Sequence, residues 1–158
     1  MKINKTNAAR LLDKANVRYE LVPYIVDESD LSAVHVALQL NEPVEQVFKT
    51  LVLKGDKSGY FVCIIPADNE LDLKLAAKAS GNKNCGMILM KDLLSVTGYI
   101  RGACSPIGMK KHFPTYIHQS CSQHAYIYIS AGQRGLQIKI DPNDLIKQVD
   151  AVVGNLIN

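Results

Sequence analysis

Val47-Phe48-Lys49-Thr50-Leu51-Val52-Leu53, then Gly55-Asp56-Lys57-Ser58-Gly59, then Tyr60-Phe61-Val62-Cys63-Ile64-Ile65 reads as two strands joined by a tight turn. Both runs are rich in β-branched and aromatic residues, and the segment between them is built from turn formers. Alternation in the first strand puts Val47, Lys49, Leu51 and Leu53 on one face and Phe48, Thr50 and Val52 on the other. The second strand is apolar on both faces, as for a strand buried on two sides. Lys49 is therefore the single charge on an aliphatic face, and an unpaired ammonium there is costly or shifts its pKa down. Two accounts fit equally. Lys49 pairs with a carboxylate or snorkels out at a sheet edge, or it lines a cavity and meets a polar or anionic ligand.

Working outward from the hairpin, Ala8, Leu11, Leu12 and Ala15 fall at helical spacing, with Thr6 placed to cap and Asn16 to stop. Val17 to Val22 alternates as a half-buried strand that ends at Pro23-Tyr24. Asp27-Glu28-Ser29-Asp30 is a polar turn in which Ser29 or Asp30 caps a second helix through Leu31, Val34 and Leu38. His35 lies on or beside that face and reads as a satisfied, partly buried histidine. Beyond the hairpin, a helix runs through Leu73, Ala76 and Ala77 to Gly81. A short strand covers Cys85 to Leu89, and one or two helical turns cover Lys91 to Val96. Tyr116–His118, Tyr126–Ser130 and Leu136–Ile140 read as further strands, the last two joined by the tight turn Ala131-Gly132-Gln133-Arg134-Gly135. Asp141-Pro142 opens a last helix carrying Leu145, Ile146, Val149 and Val152.

Strands and helices that do not alternate regularly exclude a doubly wound parallel sheet. The pattern predicts an α+β fold of six to seven strands with four to five surrounding helices, in one domain spanning residues 1–158. A chain of 158 residues, 47% hydrophobic and 21% charged, suits one buried core, and a net charge of +3 permits a polyanionic partner without demanding one. The four cysteines lack a C-x-x-C pair and read as reduced thiols in a cytoplasmic protein. No stretch reads as a signal peptide or a membrane span.

Gly98-Tyr99-Ile100-Arg101-Gly102-Ala103-Cys104-Ser105-Pro106-Ile107-Gly108-Met109-Lys110-Lys111 is neither helix nor strand. Its glycines let the backbone approach a ligand and turn N–H groups one way, and its cations attract phosphate or carboxylate. A plain solvated loop is the equally weighted alternative. A zinc site from Cys104, His112, His118 and Cys121 lacks the closely spaced pairs such sites use. Cys104 as nucleophile needs a base that sequence cannot place. Gly132-Gln133-Arg134-Gly135 enters a strand rather than a helix, so it is no phosphate loop.

Four segments in order, Val47-Phe48-Lys49-Thr50-Leu51, Leu71-Asp72-Leu73-Lys74, Gly98 through Gly108, and Ile129-Ser130-Ala131-Gly132-Gln133-Arg134-Gly135-Leu136, resemble those of the YbaK/EbsC family. These are free-standing relatives of the editing domain of bacterial prolyl-tRNA synthetases. The resemblance implies a mixed, largely antiparallel sheet curled toward a barrel. It implies a trans-editing deacylase acting on mischarged Cys-tRNA(Pro), without cofactor or metal, that works alongside prolyl-tRNA synthetase. It also implies that Lys49 and Gly102 are catalytic, and that Tyr24, Thr50, Ala103, Ser105, Pro106, Ser130, Ala131 and Gly132 bind substrate. Ala103 and Gln137 depart from some relatives, which carry glycine and aspartate there. Rival readings are a non-catalytic module for nucleotides or tRNA ends, and a deacylase for alanine or serine.

Overall fold

The computed structural model describes residues 3–158. The expected hairpin is its centre: β2 (Phe48–Gly55) pairs antiparallel with β3 (Gly59–Pro66) along their whole length, from Phe48↔Pro66 to Gly55↔Gly59. The turn is tied by buried Asn82, whose Oδ1 accepts the Lys57 and Ser58 N–H groups at 2.9 Å each. Gly55 is needed there, because a Cβ would stand 2.1 Å from Asn82 Nδ2. Around the hairpin lie β4 (Cys85–Met87), β5 (Thr115–His118) and β8 (Val152–Gly154), giving a five-stranded sheet of order β4-β2-β3-β5-β8. The β3–β5 and β5–β8 pairs are parallel.

A second sheet holds β1 (Tyr19–Pro23), β7 (Leu136–Ile140) and β6 (Ile127–Ser130), all antiparallel, in the order β1-β7-β6. The mixed α+β class is as expected, but the strands number eight and divide between two sheets where one curled sheet of six or seven was read. The sheets meet at a single parallel bridge, Val47↔Tyr128, and do not close into a barrel. The principal core fills the space between them, with Phe48, Val52, Val62 and Ile64 packed among Ile127, Ile129, Ile138 and Ile140. The other face of the hairpin, with Leu53, Phe61, Cys63 and Ile65, packs on Ala76.

Among the described residues, five α-helices surround the sheets. Helix α1 (Asn7–Lys14) is capped by Thr6, and Asn16 stops it at φ 59°. Helix α2 (Ala33–Leu40) starts later than its sequence suggests, because Ser32 is the cap: its hydroxyl accepts from His35 N, and Asp30 instead accepts from Ser32 N. The shift rotates the apolar face, so Val36 and Ala37 are buried while Val34 and Leu38 are exposed, Leu38 at 72%. Helix α3 (Leu73–Ser80) is capped by Asp72, and α4 (Leu93–Thr97) ends at Gly98. Helix α5 (Pro142–Val149) opens on Asp141-Pro142 but stops at left-handed Asp150, so Val152 lies in β8 rather than in the helix.

All four cysteines are free thiols. No helix among the described residues is long and apolar enough to cross a membrane.

His118, at the end of β5, is buried and accepts the Leu156 N–H on Nδ1 at 3.1 Å. Burial holds its pKa below the usual 6.5. The unfolded chain therefore binds a proton near pH 6.5 that the folded chain refuses, and acid favours unfolding. Melting temperature should be level above about pH 7 and fall as pH drops below 6.5. His118→Asn, which keeps an acceptor but cannot titrate, should flatten that limb in thermal melts.

Candidate functional site

Past the Val47↔Tyr128 bridge, β2 and β6 part instead of continuing their ladder. On its outer side β2 is paired with β4 from Leu53 to Gly55 and bonded to Ile88 at Val52, so its edge is open between the bridge and Val52. The Val47 carbonyl accepts from Ala67 on the β3 side and the Val52 carbonyl from Ile88 on the β4 side. Peptide groups alternate along a strand, so the main chain of Thr50 faces the open edge. A cavity of about 440 Å³ lies along this edge. Its lining joins Lys49 and Thr50 from β2, Ser130 from β6, Gln137 from β7, Gly102 and Cys104 from the glycine-rich loop, and Met87 and Met90.

Lys49 and Thr50 belong to opposite faces of the strand, and both reach the cavity because the edge between them is free. Lys49 is half-buried, and its Nζ donates to the Ala67 carbonyl at 3.1 Å. Burial lowers its pKa, and the carboxylates of Glu70 and Asp68 offset part of that shift. Of the two accounts left open by the sequence, the structure favours the second: Lys49 forms no ion pair among the described residues, its ammonium is anchored on a main-chain carbonyl, and it lines a cavity with donors to spare. On the floor, Thr50 Oγ1 and Gln137 Oε1 are buried without a hydrogen-bond partner, Gln137 being only 5% exposed. Orphan polar atoms at this depth cost stability unless a ligand satisfies them.

The glycine-rich loop forms another wall. Gly102 sits at φ +84°, and a Cβ there would press on Arg134 Nε at 3.3 Å and Leu31 at 3.4 Å. Ser130 Oγ donates to the Ala103 carbonyl at 2.9 Å and accepts from Gly132 N at 3.1 Å, joining the loop to the β6–β7 turn. Tyr99 strengthens the joint: its hydroxyl donates to the Ile107 carbonyl, and its ring lies where a Cβ on Gly132 would be 3.0 Å from Cε1. Cys104 faces the cavity, but burial pushes its thiol up to about 12. A neutral thiol is a poor nucleophile.

Of the residues singled out from sequence, Lys49, Thr50, Gly102 and Ser130 meet at the cavity. The others stand behind it. Tyr24 packs with Val36, Val47 and Tyr128, its main chain held by the Gly135 carbonyl. Ala103, Ser105 and Ala131 are buried supports, with Ser105 Oγ accepting from Ile107 N. Pro106 borders a separate small hollow with His112 and Phe113, and Gly132 packs on Tyr99. Gln137, Cys104, Met87 and Met90 were not read as site residues. Gln137 carried a signal as a departure from the aspartate of some relatives, and Cys104 as a thiol in the glycine-rich loop; the two methionines carried none. No cluster of metal-ligating side chains occurs among the described residues.

This fold is that of an aminoacyl-tRNA editing domain. Residues 27–148 match the family model of that description, and the chain belongs to this family. It is 49% identical over 142 residues to the EbsC protein of Enterococcus faecalis, assigned as a Cys-tRNA(Pro)/Cys-tRNA(Cys) deacylase, covering 90% of this chain and 87% of that one. The proline–tRNA ligase of Fervidobacterium nodosum is 32% identical over 79 residues, which are 50% of this chain and 14% of the ligase. A solved structure described as a trans-editing enzyme for prolyl-tRNA synthetase superposes with a TM-score of 0.82 at 21% identity, over 98% of this chain and 99% of that one.

Because Gln137 Oε1 has no partner, Gln137→Met, which keeps the volume and removes the orphan, should leave the ligand-free protein as stable or more stable by up to about 1 kcal/mol in denaturant titrations. A hydrogen-bonded glutamine would instead give a clear loss.

Proposed function

We propose that the protein is a free-standing editing domain, residues 1–158, that deacylates mischarged Cys-tRNA(Pro) in trans. The observation that carries this is the half-buried Lys49 standing at a largely apolar cavity that Gly102 also lines. The cavity suits a small, uncharged aminoacyl group. Orphan Thr50 Oγ1 and Gln137 Oε1 are available to its amino group and side chain, and Lys49 is available to the terminal nucleotide. The family relationship and the assignment of the Enterococcus relative point the same way.

The cavity presents no ready protein nucleophile, since its cysteine is held neutral. The substrate's own thiol fills that role. Its sulfur bonds to the ester carbonyl carbon, the bond to the ribose oxygen breaks, and the thiol proton ends on that oxygen, leaving intact tRNA and a cyclic thiolactone. A well-held intramolecular attack can reach effective molarities of about 10⁵ M or more, so the protein need only fix geometry and stabilise the oxyanion. Such a step is needed because a synthetase site separates substrates differing by one methylene only about 10- to 200-fold.

A net charge of +3 offers few phosphate contacts for the tRNA body. Prolyl-tRNA synthetase is the partner that would present the mischarged end, and the setting is the cytoplasm.

Lys49→Ala should abolish deacylation of Cys-tRNA(Pro) with melting behaviour intact, and equal rates for both proteins would reject the role of Lys49. In a side-by-side deacylation assay, Ser-tRNA(Pro) and Ala-tRNA(Pro) should be cleaved far more slowly than Cys-tRNA(Pro). Comparable rates would reject catalysis by the substrate thiol, and binding without any turnover would favour the non-catalytic reading.

A further inference from the structure

The Gly132-Gln133-Arg134-Gly135 turn takes no part in the reaction just described, yet Arg134 reaches the main chain of the site. Its Nε donates to the Arg101 carbonyl at 2.9 Å. On the neighbouring strand end, Ser130 Oγ donates to the Ala103 carbonyl at the same distance. These two carbonyls belong to the peptide groups whose N–H groups are those of Gly102 and Cys104.

No peptide bond among the described residues is cis. In a planar trans peptide the C=O and N–H point in opposite directions. A carbonyl anchored toward the β6–β7 turn therefore turns its N–H the other way. Arg101, Gly102, Cys104 and Ser130 line the cavity, whereas Arg134 does not, so the Arg101 carbonyl is held toward a side chain outside the cavity. Neither the Gly102 nor the Cys104 N–H has a partner among the described residues, while the intervening Ala103 N–H is taken by the Ile100 carbonyl at 3.0 Å.

We propose that Arg134 is a positioning residue that aims the Gly102 N–H as a donor at the oxygen of the scissile ester, while Ser130 braces the neighbouring peptide. This rests on the deacylation proposed above. The guanidinium also polarises the peptide it holds, which makes the Gly102 N–H a stronger donor. No carboxylate among the described residues forms an ion pair with Arg134, so its charge is undivided. The contact is also reciprocal. A side chain at position 102 would push Arg134 Nε away, so the glycine and the arginine require each other.

The test compares wild type with Arg134→Gln and Arg134→Lys in three measurements. These are steady-state kinetics on Cys-tRNA(Pro), affinity for a non-hydrolysable amide-linked cysteinyl-adenosine, and the amide ¹H–¹⁵N resonances of Gly102 and Cys104. Removing one oxyanion donor typically costs about 10²- to 10³-fold, so disturbing its aim should lower kcat about 10- to 100-fold. KM and analogue affinity should stay within about twofold, because the ground-state carbonyl is not the target of the donor. The Gly102 resonance should shift in Arg134→Gln, and Arg134→Lys, which keeps a charged donor, should recover part of kcat. An unchanged kcat, or a loss carried wholly by KM and analogue affinity, would overturn the assignment. Absence of turnover in the wild type would remove the deacylase reading itself. An unmoved Gly102 resonance would remove the tether whatever the substrate.

Discussion

The parting of β2 and β6 just beyond the Val47↔Tyr128 bridge is the constraint on which the site depends. Two strands in register would have sealed the space between the sheets with main-chain hydrogen bonds. Instead the ladder stops after one bridge, and the principal core continues beneath, held by Phe48, Val52, Ile129 and Ile138. The result is a cavity with a hydrophobic base, an exposed strand edge, and two orphan side-chain oxygens. Leaving those atoms without a protein partner costs stability, the usual relation between a binding site and the fold that carries it.

The glycine-rich loop is stiff for a different reason. It has little secondary structure, yet the hydrogen bonds of Arg134 and Ser130 and the packing of the Tyr99 ring on Gly132 fasten it to the β6–β7 turn, and the Tyr99 hydroxyl ties it internally to Ile107. The Tyr99 phenol, pushed up to about 12 by burial, remains a donor throughout the physiological range. Because Arg134 and Ser130 hold the carbonyls of Arg101 and Ala103, the Gly102 and Cys104 N–H groups of the same peptides stay without a partner among the described residues.

Much of this was legible in the sequence, and what was not has local causes. The hairpin was plain because periodicity, turn residues and apolar runs agreed. Lys49 stood out because an isolated charge on an aliphatic face is anomalous in any fold. Two helix boundaries were not legible: Ser29, Asp30 and Ser32 compete as caps for α2, and only tertiary packing of Val36 and Ala37 decides for Ser32. Val152 continued a helical pattern that Asp150 breaks by turning left-handed. Residues adjacent in sequence to Gly102 and Ser130 lie off the cavity lining, because a motif names a segment while a cavity selects side chains by direction. Gln137 could be noticed as polar within β7, but its missing partner is a fact of three dimensions.

An unpaired strand edge is ordinarily a hazard, since it offers its main chain to any other extended polypeptide and so invites aggregation. Here the open edge of β2 lies inside a recess walled by the glycine-rich loop and by the segment from Met87 to Leu93. A flat strand from a neighbouring molecule cannot dock there, whereas a small ester on the end of a flexible chain can. The geometry that admits a ligand thereby also protects the protein from self-association at its most vulnerable strand.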